Sequence, residues 1–470
     1  MGFVFWDTET TGKSTEFDQI LQFAAIHTDV DLNELDRINV RCRLNPHIVP
    51  TAGAMRVTGV KLGQLIDPTL PSHYAMLRQI EAKLKSWSPA VFIGYNSLRF
   101  DEKLLRNALF RTLHKPYLTN TDGNARADAL RLVQAASVYA PHCLDIPEDE
   151  DGNAVFKLDK VAPHNGFDHV NAHDALSDVL AVIHLARCIS AKAPDLWSRF
   201  LKLATKASAA AFCDEEGAFV LTEFFFGKPY HYVVAPFGVD PNVDAYVLAL
   251  DLRHDLNWVA SLPVDQLATW MVRSPKPVRV IRTNATQNLC PLDEAPADIV
   301  PSFDASSYLA KAAWLSENEE LKAKLAAAYA LVAPQYEASP HVEEQLVSGG
   351  FIPDADYPLM EQFHEASWQE RVVLAGQLAD VRLRYHALRL IYEEHPQLLS
   401  QTQSAEIEAI ASERLLLDKG PKDKWTSLPQ ALAEAEAMMT DCDEQLGAML
   451  SELRDYLKQC LARYGAAETG

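Results

Sequence analysis

The chain has 470 residues, a length that holds roughly three domains of about 150 residues and needs neither disulfides nor a structural metal to be stable. Hydrophobic residues make up 48% and charged residues 23%, which excludes a disordered or collagen-like chain, and no apolar run approaches the roughly 18 residues of a membrane span. A net charge of −21 excludes a nonspecific nucleic-acid coat, which would want a basic surface. The charge is uneven: residues 1–190 carry 19 basic and 23 acidic groups, 191–349 carry 13 and 20, and 350–470 carry 11 and 21. The seven cysteines are scattered, odd in number and never CxxC, as expected of reduced thiols in a cytoplasmic protein. An apolar strand starts almost at Met1, so no secretory signal is expected.

The first segment alternates strand and helix signals. FVFWDTE is an apolar run ending in carboxylates, and QILQFAAIHTD and RINVRCRLNP alternate in period two like half-buried strands. SHYAMLRQIEAKLKSW places Met76, Leu77, Ile80 and Leu84 at helical spacing. VFIGYN reads as a buried strand, DEKLLRNALFRTL as a helix, and a further helix is expected over about 172–191. Repeated strand-then-helix units predict an α/β layer fold. Around Pro194 the pattern changes: AFVLTEFFF, YHYVVAPF and AYVLALDL, separated by turn residues, predict a small antiparallel sheet or barrel. Residues 302–331 turn helical, and GGFIPDADYP reads as a linker or helix start. Arg371–Tyr392, Ser404–Leu417 and Leu428–Tyr464 then have the pattern of long amphipathic helices.

Three pieces carry chemistry. Asp7 and Glu9, two apart at a strand end, leave the same sheet face, where two close carboxylates want a hard divalent ion between them. In GYNSLRFDEKLLRN a strand ends at Gly94 and Asp101 starts the next helix; taken alone, it is an acid favoured by the helix dipole. In NAHDALSD, His173 and Asp178 stand five apart at a helix start, with Asn171 or His173 just outside the first turn, while Asp174 and Asp178 share a helix face. Taken alone, these acids decorate a helix N-terminus.

Together the pieces resemble the His-containing subgroup of the DEDD exonuclease superfamily: Phe5-x-Asp7-Thr-Glu9-Thr, Asn96 through Asp101, and His173 with Asp178. The resemblance implies four carboxylates, Asp7, Glu9, Asp101 and Asp178, holding two Mg²⁺ ions, with Mn²⁺ a possible substitute and His173 the general base. QFAAIHTD, Val57-Thr58-Gly59, GYNSLRFD, FKLDKVAPHNGFDHVNAHDALSD and GGFIPDAD, in a chain with some 280 residues beyond the nuclease segment, are similar to the exonuclease I family of bacterial single-strand-specific 3′→5′ DNA exonucleases. That family implies a ribonuclease H-like exonuclease domain (1–190), an SH3-like β-rich domain with a helical extension (194–349) and a C-terminal helical domain (350–470). It further implies 5′-mononucleotide release in DNA repair and recombination, a monomer, and a partner in single-stranded DNA-binding protein through its acidic tail. The rival readings are an RNA or broad-specificity exonuclease and a non-catalytic single-strand-binding protein on the same fold.

Substrate contacts are expected from Glu9, from Arg99, Lys103 and Arg106 around Asp101, and from Lys157, where the family usually carries an arginine. Lysine keeps the charge but not the bidentate fork. Tyr117 matches a family aromatic or is a buried structural tyrosine, and Thr121 stands where the next family aromatic would be. Arg273, Lys276, Arg279 and Arg282 form an acid-free stretch that lines a channel, docks the acidic tail, or is a solvated edge strand; Arg382, Arg384 and Arg389 have the same open role. Phe224, Phe225, Phe226 and Trp258 are expected in the core rather than as base-stacking platforms, and the acidic C-terminal helices as solvated faces.

Overall fold

The computed structural model describes residues 2–168, 174–335, 338–417 and 424–465. The first sheet contains β1 (Gly2–Thr10), β2 (Ile20–Thr28), β3 (Glu34–Arg41), β4 (Ala90–Gly94) and β5 (Ala125–Asp128) in the order β3-β2-β1-β4-β5. β1 runs antiparallel to β2 and parallel to β4, which is parallel to β5. β1 is apolar at both odd and even positions because both its faces are covered. Phe3 and Phe5 pack with helices Ala129–Tyr139 and Ala175–Lys192. Val4 and Trp6 pack with helices His73–Trp87 and Asp101–Arg111. This is the ribonuclease H-like α/β layer, and it delivers the C-terminal ends of β1 and β4 side by side, where ligands of open α/β sheets bind.

The second sheet is wholly antiparallel: β6 (Phe219–Phe225), β7 (Lys228–Val239), β8 (Tyr246–Asp251), β9 (Val278–Arg282) and β10 (Asn288–Pro291), ordered β10-β6-β7-β8-β9. It is the SH3-like part. Val220, Val233, Ala235, Leu248 and Leu250 turn to one core with Leu315, Leu321 and Leu325 of the following helices, while Phe219, Leu221, Val234 and Ala249 turn to another.

The rest is helical, with more breaks than periodicity predicts. The stretch Arg371–Tyr392 is two helices, Trp368–Gln377 and Val381–Glu394. The buried Asp356 carboxylate accepts the N–H groups of Ala379 and Asp380, each at 2.8 Å, and Asp380 caps the second helix by accepting from Arg382 N–H at 2.9 Å. Leu428–Tyr464 likewise divides into Leu428–Met438 and Glu444–Gly465, with Asp443 accepting from Leu446 N–H. The 302–331 stretch breaks at Asn318, whose side chain accepts from Leu321 N–H.

These helices are not a separate lobe. Leu450, Leu453 and Leu457 share a core with Leu21, Met55 and Leu65 of the first segment, and Phe363, Leu383 and Ile391 share one with Tyr74, Phe110 and Leu113. Among the described residues no helix is long and apolar enough to cross a membrane.

Candidate active site

The site forms where β1 and β4 end. Alternation along β1 puts Asp7 and Glu9 on the side covered by helix Ala175–Lys192, and Asp178 in that helix's first turn comes down beside them. Ligand oxygens of Asp7, Glu9 and Asp178 lie within 4.8 Å of one another. Asp101 stands outside that trio but close enough for its charge to act on both strand acids. It arrives from the opposite helix layer through the turn after β4. Gly94 permits the turn, since a Cβ there would lie 2.5 Å from Ser97 Cβ and 3.1 Å from the Trp6 carbonyl. Asn96 then takes a left-handed φ of 58°, its N–H donated to Asp128 at 2.7 Å. Thr8 completes the hold by donating its hydroxyl to Asp101 Oδ1 at 2.5 Å.

The electrostatics follow from crowding acids in a dry place. Burial, then the charges of Asp101, Asp178 and Glu9, holds Asp7 well above the ordinary carboxylate range. Burial with the Asp178 and Asp101 charges pushes Glu9, only 7% exposed, up to about 9, while Arg41 pulls it the other way. Burial raises Asp101 to about 7 against the Thr8 hydrogen bond. Without a counter-cation Glu9 would hold its proton at neutral pH. All-oxygen donors in this number and spacing fit a hard divalent ion.

Several supporting residues escaped the sequence reading. Gln22, opposite Glu9 in the β1–β2 register, donates to Asp174 at 3.0 Å and accepts from Ala175 N–H. Arg41 pairs with the same Asp174 at 2.8 Å, and Asp174 caps the helix that carries Asp178. Asp128, buried and raised to about 6 chiefly by that burial, fixes the Asn96 turn. Of these, the sequence marks only Asp174, as a neighbour of Asp178 on one helix face. His173 and Asn171 lie outside the described residues.

An open cleft of about 950 Å³ runs from this point, and its walls include Asn96, Phe156, Lys157, Asp178 and Phe226. That is the upper end of the roughly 300–1,000 Å³ of ligand pockets. Lys157 is the cation among the described residues lining it, and its side chain is exposed. Arg99 and Lys103 are exposed on the neighbouring turn and helix. Arg106 is engaged already: it pairs with Glu102 at 2.9 Å, donates to Asn120 at 2.9 Å, and lies 5.1 Å above the half-buried Tyr117 ring.

Three expectations are corrected. Arg279 pairs with Glu223 at 2.9 Å and stacks 3.5 Å from the Tyr232 ring, so its charge is spent within the sheet. Arg382 is buried against Asp380 and the Gln345 and Gly350 carbonyls; Arg384 donates to the Leu378 carbonyl; Arg389 is shared by Glu343 and Glu393. All three brace helix ends rather than line a channel. Nor does the aromatic run sit in the core: Phe225 is 47% and Phe226 95% exposed, because β6 turns back at Phe226–Gly227, and Trp258 is 46% exposed.

Comparison with known proteins agrees with this geometry. A family model described as Exonuclease matches residues 4–186, and one described as Exonuclease I C-terminal domain matches 340–460. Exodeoxyribonuclease I of Escherichia coli strain K12 is 28% identical over 380 residues, 76% of this chain and 78% of that protein. The crystal structure of E. coli exonuclease I in complex with a dA16 oligonucleotide superposes with a TM-score of 0.83 at 24% identity, covering 97% of this chain and 99% of that one. A zinc-bound form of the E. coli enzyme with single-stranded DNA gives a TM-score of 0.81 at 23% identity over the same shares. With both ends of the chain matched and the whole fold shared, the chain belongs to the exonuclease I family of the DEDD superfamily.

Proposed function

We propose that this exodeoxyribonuclease removes 5′-mononucleotides from the 3′ end of single-stranded DNA in a Mg²⁺-dependent reaction, with Mn²⁺ a workable substitute. The observation that carries the reading is the convergence of Asp7, Glu9 and Asp178 within 4.8 Å, with Asp178 also lining an open cleft. The relatives' complexes with oligonucleotides and zinc support it by similarity. When bound, divalent ions supply charge neutralisation at the scissile phosphate and acidify the attacking water. Asp7, Glu9 and Asp178 would hold them, with Asp101 supporting the second position.

The chain's own residues do the rest. Thr8 fixes the rotamer of Asp101, and the Gln22–Asp174–Arg41 group fixes the start of the helix that carries Asp178. We assign His173 as the base that takes the proton from water, a task suited to a near-neutral imidazole. Glu9 meets the terminal nucleotide, while Lys157, Arg99 and Lys103 supply charge for phosphates and Arg106 and Tyr117 act as a joined pair beside them. Seven unpaired cysteines support a cytoplasmic setting. We extend the reading to repair and recombination, to action as a monomer across three units (1–190, 194–349 and 350–470), and to docking of the acidic tail of single-stranded DNA-binding protein.

Digestion of a labelled single strand with Mg²⁺, comparing wild type with Asp7→Ala, tests the core of this reading. We expect release of mononucleotides by wild type and a loss of at least 10³-fold in the variant; equal digestion by both refutes it. Matched DNA and RNA oligomers separate it from an RNA exonuclease.

A further inference from the structure

We propose that Phe226, at the tip of the β6–β7 hairpin, is a stacking platform for a nucleobase of the single strand lying in the catalytic cleft. The inference rests on the single-strand reading above and adds a substrate-holding residue from the second domain. Four observations carry it.

First, the ring is placed where an apolar group has least reason to be. Phe226 is 95% exposed, and the same tip exposes Phe225 and Tyr230, whose rings meet edge to face with centroids 5.6 Å apart. Second, the backbone is unsuited to the residue. Phe226 has φ 51° and Gly227 φ 76°, the paired left-handed conformation that tight hairpins fill with Asn-Gly or Gly-Gly. A bulky aromatic at the first position breaks the local rule, and such violations gather where a ligand is gripped.

Third, the tip is fixed in place. Gly227 lies so close to Ala154 that a Cβ would collide with its carbonyl, and Phe224 packs edge-on against Phe156 at 5.3 Å. The loop it grips leads straight into Lys157. Fourth, the position is shared with the chemistry: Phe226, Lys157 and Asp178 line one cleft.

A single strand offers alternating phosphates and unpaired base faces. A wall bearing one exposed ammonium and one exposed, pinned aromatic ring answers both. Every base has a π-face, so such a platform grips without selecting sequence. The occupant fits better than a protein segment would, since the ring lines a cleft shared with Lys157 and with Asp178 of the carboxylate trio rather than an isolated apolar groove.

The test is equilibrium binding of a fluorescein-labelled oligo-dT to the full chain in EDTA, where no cleavage occurs, read by anisotropy. Wild type, Phe226→Ala and Phe226→Trp are compared on the intact strand and on strands with one abasic site stepped from the 3′ end. We expect Phe226→Ala to weaken binding about 10-fold, Phe226→Trp to retain it, and both to unfold thermally like wild type, since the ring packs on no core. One abasic position should cost wild type a similar factor and cost Phe226→Ala nothing more, the coupling that a direct stack requires. Equal affinity of Phe226→Ala and wild type overturns the proposal, as does an abasic loss of the same size in both proteins at every position. Failure of wild type to bind any single strand would instead overturn the functional reading beneath it.

Discussion

Replacing Glu9 with glutamine should make the metal-free protein more stable while ending its activity. The folded state pushes the Glu9 carboxyl from 4.5 up to about 9, chiefly by burial and then by the Asp178 and Asp101 charges. A group raised on folding favours the folded state when protonated. Its contribution is fully present below pH 4.5 and is lost as pH climbs toward 9, at about 1.4 kcal/mol per unit. By pH 8 the accumulated loss reaches about 5 kcal/mol as an upper bound, and water entry and relaxation at the strand end should leave about 2. Glu9→Gln keeps the volume and removes the titration. In EDTA at pH 8 its melting temperature should exceed wild type by roughly 4–8 °C for a unit of 150–250 residues, and at pH 4.5 the two should coincide. Adding Mg²⁺ should stabilise wild type more than the variant, because the cation relieves a repulsion the variant lacks. Calorimetry across that pH range decides. A variant less stable than wild type at pH 8, or an advantage that does not shrink with acid, would mean that the carboxylates are not in conflict.

Other consequences concern the scaffold. Glu343, 1% exposed, clamps Arg389 at 2.9 Å and Arg414 at 2.6 Å. Glu343→Ala leaves two arginines without their shared acid and should cost roughly 3–5 kcal/mol in denaturant unfolding. His364 stacks on His114 at 4.0 Å, donates from Nε2 to the Leu113 carbonyl and accepts from the Tyr74 hydroxyl at Nδ1, and is lowered to about 4 by burial, with Arg78, Arg371 and Lys85 adding repulsion. It therefore contributes stability above pH 6.5 that is lost as pH falls toward 4. Wild type should lose about 2 kcal/mol more than His364→Gln between pH 7 and pH 5, measured by urea titration. Thr8→Val removes the donor to Asp101 and should lower kcat about 10-fold with little change in strand affinity, with Thr8→Ser restoring it.

The fold was legible where the information is local. The apolar run FVFWDTE and the helical spacing around Leu77 and Leu105 mark elements because each pattern is complete within a few residues, whereas QILQFAAIHTD, which reads as a half-buried strand, is buried on both faces between β1 and β3. Asp7, Glu9, Asp101 and Asp178 stood out for the same reason, each sitting at the end of a recognisable element. What held them in place was not legible. The Thr8–Asp101 bond spans 93 residues, Arg41–Asp174 spans 133 and Gln22–Asp174 spans 152, so their partners are settled by sheet order rather than by spacing. The helix break at Leu378–Asp380 was hidden similarly, since it depends on Asp356 more than twenty residues away. In Phe224-Phe225-Phe226 composition misled outright. Three consecutive aromatics look like core, yet the turn at Gly227 puts the last of them in solvent.

How does a chain of net charge −21 hold a polyanion at all? Several of the arginines that suggest a basic lining are consumed inside: Arg279 by Glu223, Arg382 by Asp380, and Arg389 by Glu343. Lys157 lines the cleft, Arg99 and Lys103 are exposed on the turn and helix after β4, and Arg273, Lys276 and Arg282 are exposed on the second sheet's side. Three phosphate contacts on a single strand give a slope of log K against log salt of about −2, shallow for a nucleic-acid protein. Lys157→Ala should flatten it by about 0.7, whereas Phe226→Ala should lower affinity at every salt concentration and leave the slope alone. A wild-type slope near −5 would mean that the strand also recruits cations beyond these three, with the exposed Arg273, Lys276 and Arg282 available before any internal ion pair has to open, and stacking would be the lesser part of the grip.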